Sequence, residues 1–304
     1  MRFTWEGLLA AGVRYIYQTT GWRPSDETLC RMGHRAPGFH RLPLPMHDGR
    51  WMYLDLRNPV SLPYLLEGDF PCEKIETKLV QNLIKPGDTA IDVGANLGWY
   101  TTLLCREIGP KGEVHAIEPN RDAARLLKAL KKWHPALEVH AIALGEKEQR
   151  TDFHIPKNWI SASLGEIDGP TRKQPTRVVP LDVFLQKDEV HEADFIKLDA
   201  EGAEKQVLKG ASATLNNRKP PIWLLELSTK EAARFGHHPS ELLEVFYRVQ
   251  STEYIGYIID RENCRLQPMQ LPEWDDFWLN AVLIPKTRQH RIPKNWLETP
   301  AKSG

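Results

Sequence analysis

The sequence predicts an α/β fold built on a mostly parallel sheet with helices on both of its faces. Between residues 73 and 285, short apolar runs alternate with segments whose apolar residues recur every three or four positions. Pairs such as Pro86-Gly87 and Gly109-Pro110 separate these segments. Strands that alternate with helices form βαβ units, which are parallel and have right-handed crossovers.

The predicted elements follow one another in a regular order. Helical spacing indicates five helices, with Asn120 as the expected N-cap of the third, over residues 73–84, 98–108, 120–132, 202–215 and 239–250. Apolar runs of strand length indicate seven strands of one sheet, over residues 89–93, 113–118, 137–144, 193–199, 221–227, 254–260 and 277–285. A separate strand is expected over residues 50–56, after the turn His47-Asp-Gly.

The remaining segments lack this alternation. Residues 1–70 are rich in Pro, Gly and Arg, and we expect them to form an N-terminal cap or extension on a domain of residues 71–286. Residues 287–304 are expected to form a solvated C-terminal tail. Residues 151–180 are predicted to be irregular because Pro, Ser and Gly are frequent there, and a long connection of this kind indicates a lid or a substrate wall.

The composition argues against several classes of protein. Lys plus Arg and Asp plus Glu both number 40, so the net charge is zero and no basic excess points to a nucleic-acid partner. No apolar run has the length that a membrane span needs. The four cysteines lack metal-ligand spacing, which argues against a zinc site or a disulfide framework and indicates the reducing cytoplasm.

The most informative segment is Asp92-Val-Gly-Ala-Asn-Leu-Gly-Trp-Tyr-Thr, at the turn between a predicted strand and a predicted helix. Sheets of this kind bind ligands at such turns. Gly94 permits a tight turn, and Gly98 permits close approach of helix and ligand. The spacing is G-x-x-x-G, not the G-x-G-x-x-G of dinucleotide sites, and Asp92 would repel a pyrophosphate. A carboxylate there suits the ammonium of a methionine portion, so the sequence favours S-adenosylmethionine over NAD.

Glu118 ends the second strand of the predicted sheet, and Pro119 follows it. An acidic residue at this point binds ribose hydroxyls in nucleotide-binding sheets, which supports a nucleoside-containing cofactor. The alternative is that Gly94 and Gly98 only shape a tight turn and that Glu118 caps the next helix.

Four segments together resemble the FkbM-type methyltransferases: Asp92-x-Gly-Ala-Asn-x-Gly-x-Tyr-Thr, Glu118-Pro, Leu198-Asp-Ala-Glu-Gly-Ala-Glu and Leu225-Glu. The resemblance covers roughly residues 53–285, and the acidic segment after Leu198 makes it specific. It implies a Rossmann-like class I methyltransferase fold, in which a mostly parallel seven-stranded sheet has an antiparallel last strand. Members of the family mostly methylate hydroxyls of sugars and secondary metabolites.

By this resemblance, the methyl donor is held by several groups of residues. Its methionine side is expected to contact Asp92, Gly94, Ala95, Asn96, Gly98 and Tyr100. Its ribose side is expected to contact Glu118, Pro119 and Asn120. Its adenine is expected near Ala143 and Leu144, and the stretch that closes over the donor contains Ser161 and Ser163.

The acceptor is expected beside Asp199, Glu201 and Glu226, near the carboxyl ends of the fourth and fifth strands, with Lys197 as a further candidate catalytic residue. A carboxylate there can take or orient the proton of a hydroxyl. Two alternatives stay open for the acids: Glu201 and Glu204 also suit the first turn of a helix, and the group suits Mg²⁺ or Ca²⁺. Lys197 either faces solvent or binds an acidic acceptor. No residue is assigned as a metal ligand.

The predicted function is transfer of a methyl group from S-adenosylmethionine to a hydroxyl of a small-molecule acceptor, by in-line displacement. N-methylation of an amine or peptide and a non-catalytic cofactor-binding module are the alternatives. The fifth strand ends Glu226-Leu-Ser228, whereas the family often has Glu-Leu-His, so no histidine base is expected there. A homo-oligomer stays open.

Overall fold

A computed structural model describes residues 5–157, 159, 162–188, 190, 192–272 and 276–297. The α-helices, in chain order, are α1 (Trp5–Thr20), α2 (Asp26–Arg35), α3 (Ser61–Glu67), α4 (Lys74–Leu83), α5 (Trp99–Ile108), α6 (Arg121–Leu130), α7 (Leu181–Lys187), α8 (Glu204–Lys209), α9 (Ser212–Leu215), α10 (Thr229–Ala233) and α11 (Ser240–Tyr247). Short 3₁₀ helices cover Pro37–Arg41, Pro71–Glu73, Gly109–Lys111, Lys286–Arg291 and Lys294–Trp296. None of the described helices is both long and apolar enough to cross a membrane.

The strands form three sheets. In chain order they are β1 (Leu42–Pro45), β2 (Trp51–Leu54), β3 (Thr89–Val93), β4 (Glu113–Ile117), β5 (Leu137–His140), β6 (Ala143–Leu144), β7 (Gln149–Pro156), β8 (Thr171–Val179), β9 (Phe195–Leu198), β10 (Ile222–Ser228), β11 (Tyr254–Asp260), β12 (Arg265–Pro268) and β13 (Trp278–Pro285). The main sheet has eight strands in the order β12-β11-β13-β10-β9-β3-β4-β5. β1 pairs with β2, and a small sheet has the order β6-β8-β7.

The main sheet confirms the predicted α/β fold. Neighbouring strands from β10 through β9, β3 and β4 to β5 are parallel, and β13 runs antiparallel to both β10 and β11. Helices cover both faces, because successive residues of β3 enter different apolar clusters. Ala90 packs in one cluster with Leu103 of α5, and Ile91 packs in the other with Phe184 of α7.

The prediction of seven strands was wrong because β12 adds an eighth at the edge of the sheet. β12 has only four residues, and two of them are Arg265 and Pro268, so its sequence lacks the apolar run by which the other strands were predicted. The predicted helix over residues 202–215 is also divided, into α8 and α9. The chain bends at Gly210, where a Cβ would lie 2.2 Å from the carbonyl oxygen of Gly145.

The small sheet corrects two further predictions. Residues 151–156 and 171–179 are not irregular, since they belong to β7 and β8, which form an antiparallel pair; the described residues between the two strands belong to no helix or strand, as predicted. Residues 137–144 are not one strand, because β5 belongs to the main sheet and β6 pairs with β8. Polar residues hid the alternation of β8: its inward positions include Gln174 and Thr176, which are buried.

The N-terminal segment packs on one face of the main sheet. Leu44 and Met52 of the β1–β2 pair and Leu65 of α3 are buried in the same apolar cluster as Leu103 and Leu127 of the main body. A strand was expected over residues 50–56, and β2 occupies most of that range.

The prediction of a solvated C-terminal tail is wrong for residues 287–297. Arg291 donates two hydrogen bonds to Asp88, at 2.5 and 3.1 Å, and Arg288 donates one to Asp194, at 2.7 Å. The two acids precede β3 and β9, so the tail connects the starting ends of these two neighbouring strands. Trp296 is buried as well.

Replacing Arg291 by Ala should lower the free energy of unfolding by about 3 kcal/mol, because Asp88 would keep a nearly buried charge without its cationic partner. Lys286→Ala is a matched control that removes an exposed pair with Glu253, and it should change stability by less than about 0.5 kcal/mol. Denaturant unfolding measures both. Equal, small effects would contradict a packed tail.

Candidate active site

The carboxyl ends of β3, β4, β9 and β10 open into one cavity of about 330 Å³. Most of the sequence-predicted site residues line it: Asp92, Gly94, Ala95, Asn96, Tyr100, Glu118, Pro119, Asn120, Ala143, Leu144, Lys197, Asp199, Glu201 and Glu226. Residues expected to contact the donor and residues expected to contact the acceptor therefore share one space. Gly98 and Ser163 do not line it, and Ser161 lies outside the described residues.

The turn after β3 depends on a glycine. Gly94 has a φ of +79°, and a Cβ on it would lie 1.7 Å from the carbonyl oxygen of Asp199. The N–H groups of Gly94 and Ala95 both donate to the carbonyl of Ile117, at 3.0 and 3.1 Å. The turn is thereby attached to the end of β4 and pressed against the loop that follows β9.

Gly98 and Ser163, which do not line the cavity, make contacts that shape the protein around it. Gly98 precedes α5 with a φ of +89°, and a Cβ on it would lie 2.7 Å from Leu127 of α6, so it serves helix packing. The Ser163 hydroxyl donates to the carbonyl of Glu201 at 2.8 Å. Ser163 therefore steadies the part of the cavity that Glu201 lines.

Asp92 presents a carboxylate oxygen that has no partner. Its Oδ2 accepts a hydrogen bond from the Thr101 hydroxyl at 2.6 Å, while Oδ1 is buried without a hydrogen-bond partner among the described residues. Burial raises the pKa of Asp92, and the nearby Lys197 charge opposes that rise. Unsatisfied buried oxygens are rare in folded proteins, so this atom is suited to receive a ligand's hydrogen-bond donor.

Glu118 connects the turn after β3 to the start of α6. Its two oxygens accept backbone N–H groups from Asn96 and Asn120, each at 2.7 Å. The N-cap of α6 is Asn120, as predicted, because its side chain accepts from the N–H of Asp122. Each oxygen of Glu118 keeps a further lone pair for a ligand hydroxyl. Burial raises the pKa of Glu118 to about 7, although both N–H groups favour its ionised form.

Lys197 and Asp199 lie between two parts of the cavity. We call the part lined by Asp92 and Glu118 the donor side and the part lined by Glu201 and Glu226 the acceptor side. Lys197 is buried in the central strand β9, and its Nζ donates to Asp199 Oδ2 at 2.7 Å. Burial alone would lower the pKa of Lys197, but Asp199, Asp92 and Glu73 together raise it above the ordinary value. Lys197 is therefore a permanent cation within the site, and it does not face solvent.

Three glutamates lie close to Asp199 on the acceptor side. Burial, followed by the charge of Asp199, raises the pKa values of Glu201, Glu226 and Glu231, those of the first two well above the ordinary value. Trp278 donates its Nε1–H to Glu226. We define these four acids, Asp199, Glu201, Glu226 and Glu231, as the carboxylate group. Glu231 was missed from the sequence, where nothing distinguishes it from a surface residue of a short helix.

Glu204 has a different role from the carboxylate group. It begins α8, and its Oε1 accepts the N–H groups of Ala200 and Gly202, at 2.8 and 3.2 Å. The helix-turn alternative is correct for Glu204 and wrong for Glu201, which precedes the helix with a φ of +53°. Glu204 thus holds the loop that presents Asp199 and Glu201.

The N-terminal side of the cavity contains residues that the sequence did not reveal. Tyr64 and Phe70 line it as stacked rings, 5.1 Å between centroids. Glu73 lines it too, beside the Tyr100 hydroxyl. Burial raises the pKa of Glu73, and the charge of Lys197 and the hydrogen bond from Tyr100 oppose that rise. On the opposite side, Phe153, Trp159 and Leu164 come from the segment that was predicted to be irregular.

Within the described ranges, no group of three or more His, Cys, Asp and Glu side chains is arranged to hold a metal ion. The two cations at the carboxylate group are Lys197, paired with Asp199, and Arg234, whose Nη1 lies 3.9 Å from Glu201 Oε2.

The fold combines a mostly parallel sheet with a glycine turn, after the first parallel strand β3, of the kind expected to hold a methyl donor. These features define a Rossmann-like S-adenosylmethionine-dependent methyltransferase. The sequence matches the family model for the methyltransferase FkbM domain over residues 92–258, more than half of the chain. The chain belongs to the FkbM methyltransferase family. A search of curated proteins gave no match.

Solved structures show similarity at low sequence identity. Methyltransferase FkbM from Methylobacillus flagellatus KT is 18% identical with a TM-score of 0.42, and the match covers 85% of this chain and 58% of that one. A SAM-dependent O-methyltransferase from Thermotoga maritima is 14% identical with a TM-score of 0.37, covering 79% and 76%. Aeropyrum pernix fibrillarin, crystallised with natively bound S-adenosylmethionine, is 13% identical with a TM-score of 0.37, covering 69% and 74%.

Binding of S-adenosylmethionine should depend on pH through Glu118. If the ribose hydroxyls donate to the ionised carboxylate, as the sequence predicts, binding below a pKa of about 7 must release a proton from Glu118. The dissociation constant should therefore increase by up to about tenfold for each pH unit below 7 and level off above it. Calorimetry across this range tests the effect. Glu118→Gln should bind more weakly and lose the dependence; an unchanged dependence in this variant would assign the titration to another group.

Proposed function

We propose that this protein transfers the methyl group of S-adenosylmethionine to a hydroxyl of a small molecule, of the sugar or secondary-metabolite class. One observation carries the proposal: a single cavity joins the turn after β3 to the carboxylate group. Donor and acceptor can then meet without a large rearrangement of the chain.

The residues on the donor side fit S-adenosylmethionine. The unpartnered Asp92 Oδ1 suits the α-ammonium, and the free lone pairs of Glu118 suit the ribose hydroxyls. Ala143 and Leu144 offer an apolar surface for the adenine. When bound, this cofactor supplies a methyl group activated by a sulfonium.

The residues of the chain then have two tasks, alignment and proton removal. As the acceptor oxygen bonds to the methyl carbon, the carbon–sulfur bond breaks and the hydroxyl proton must leave. We assign the proton to Glu226 or Glu201, because burial and the charge of Asp199 raise their pKa values and make both carboxylates better bases than ordinary ones. Lys197 holds Asp199 in position through their 2.7 Å hydrogen bond.

We further propose that residues 71–286 form the catalytic domain and that residues 1–70 serve as a cap on it. Tyr64 and Phe70 support this division, since they complete one wall of the cavity. An acceptor would pack against these two rings.

N-methylation is the second candidate, and the negative charge of the carboxylate group supports it. Among the described residues, the cations paired with the carboxylate group are Lys197 and Arg234, so an ionised group of four acids carries excess negative charge that attracts an ammonium. Screening paired hydroxyl and amine acceptors with isotopically labelled donor, then locating the methyl group by mass spectrometry, distinguishes the two reactions. Tight donor binding without turnover on any acceptor would support a non-catalytic module.

Glu226→Gln should lower kcat by about 10²- to 10⁴-fold, because the amide keeps the shape of the side chain but cannot accept the proton. The dissociation constant for S-adenosylmethionine should stay nearly unchanged. In the wild type, the rate should increase with pH through the raised pKa of the base, since only the ionised carboxylate accepts the proton.

Glu244→Gln is the matched control, because Glu244 lies on α11 in an exposed pair with Arg248. Turnover with this variant should equal that of the wild type. If Glu226→Gln and Glu201→Gln both keep the wild-type kcat, neither glutamate takes the proton.

A further inference from the structure

The N-terminal helix α1 turns its large apolar side chains toward solvent. Eight such side chains are exposed among the described residues, and six belong to α1 or follow it directly: Trp5, Leu8, Leu9, Tyr15, Ile16 and Trp22. In the first five, Leu8 and Leu9 follow Trp5 by three and four positions, and Tyr15 and Ile16 follow Leu8 and Leu9 by seven. These spacings place all five on one side of the helix, as a single stripe. We call these six residues the α1 surface.

The opposite side of α1 is attached to the protein by polar contacts and by a few apolar ones. Ala10 and Val13 pack in the core, and the edge of the Trp5 ring meets Phe39 at 5.7 Å between centroids. Arg14 donates to the backbone carbonyls of Leu65 and Tyr64, at 2.7 and 2.9 Å, and also to that of Pro45. The Tyr17 hydroxyl donates to Glu67 at 2.6 Å. The buried residues of the helix are Glu6, Gly7 and Ala10, none of them a large apolar residue. These contacts hold α1 in one orientation, with its apolar side outward.

The chemistry of the α1 surface indicates an uncharged partner. The charged residues of α1 are Glu6, which is buried, and Arg14, which is bonded to carbonyls. A surface of this kind is complementary to itself, as a two-fold interface requires. Gly12 lies in the middle of the stripe, and a Cβ on it would meet nothing within 4 Å, which leaves room for the close approach of another helix.

The size of the α1 surface suits a protein interface. Aromatic side chains bury about 150–250 Å² each, so its three aromatic and three aliphatic residues at their observed exposures offer on the order of 600 Å². A stable complex buries about 800 Å² on each partner. Contacts around the rim of the stripe would supply the remainder.

A lipid surface suits α1 less well. Helices that lie in a membrane interface carry Lys and Arg on their polar side, where these residues reach the headgroups. Arg14 is the one basic residue of α1, and three backbone carbonyls already engage it. The helix therefore has no free cation of its own to offer a headgroup.

We propose that two copies of this chain associate through their α1 surfaces, each helix packing against its two-fold mate. The proposal is independent of the catalytic function. The same helix also contacts a wall of the cavity, because Arg14 bonds the carbonyl of Tyr64, whose ring lines the cavity. In the proposed dimer, α1 therefore both supports that wall and forms the interface.

Light scattering after size-exclusion chromatography tests the proposal on the full chain at micromolar concentration. The wild type should have twice the 34.9 kDa mass of one chain. Leu8→Glu and Tyr15→Glu should each increase the dimer dissociation constant by at least about 30-fold, because each places a carboxylate in the interface. Tyr247→Glu is the matched control, since Tyr247 is 63% exposed and lies outside α1, and it should stay dimeric. Circular dichroism should show native helix content in all three variants.

Three outcomes would overturn the proposal. A wild type that is monomeric at this concentration has no such dimer. A wild-type dimer that persists in both α1 variants uses another surface. A monomeric wild type that sediments with phosphatidylcholine–phosphatidylglycerol vesicles, where Leu8→Glu does not, would assign the α1 surface to lipid.

Discussion

The active site is organised by the contact between Gly94 and the backbone of Asp199. A side chain at residue 94 would overlap the carbonyl oxygen of Asp199, so only glycine lets the turn after β3 press against the loop after β9. That contact brings the residues that suit a methyl donor next to those that suit an acceptor. The parallel pairing of β3 with β9 sets the register, and Arg288 and Arg291 bond the loops at the starting ends of the same two strands.

The charges of the site depend on Lys197 in a similar way. Asp92, Glu73 and Asp199 all interact with its buried ammonium, and their negative charges keep it protonated. Without this cation, the negative charges of the three acids would repel one another and would lack the positive charge that compensates them. Burial and the charge of Asp199 raise the pKa values of Glu201 and Glu226 well above the ordinary value, which suits these two carboxylates to proton transfer.

The sequence predicted the parts of the site that depend on local chemistry. Gly94, Asp92 and Glu118 could be located because a strand, a turn and a helix follow one another within a few residues. Glu231 could not, since it reaches the cavity only through the placement of α10, where Ser228 accepts from its N–H. Nor could the contact of Ser163 be located, since its hydroxyl bonds the carbonyl of Glu201, 38 positions away in the chain.

The errors in the predicted fold also come from contacts between residues that are far apart in the chain. The tail was expected to be solvated because the partner of Arg291 lies 203 positions earlier in the chain. The pair β7–β8 was missed because buried Gln174 and Thr176 resemble exposed residues in the sequence. Gln174 bonds the carbonyl of Pro119, so its polarity serves the tertiary structure and not the solvent.

A crystal structure with S-adenosylhomocysteine, the demethylated product of the donor, tests the central claim most directly. The ribose hydroxyls should donate to Glu118, the ammonium should lie within hydrogen-bonding distance of Asp92 Oδ1, and the sulfur should face the carboxylate group. A ligand bound elsewhere, or one whose sulfur points away from Asp199 and Glu226, would contradict the shared cavity as the site of methyl transfer.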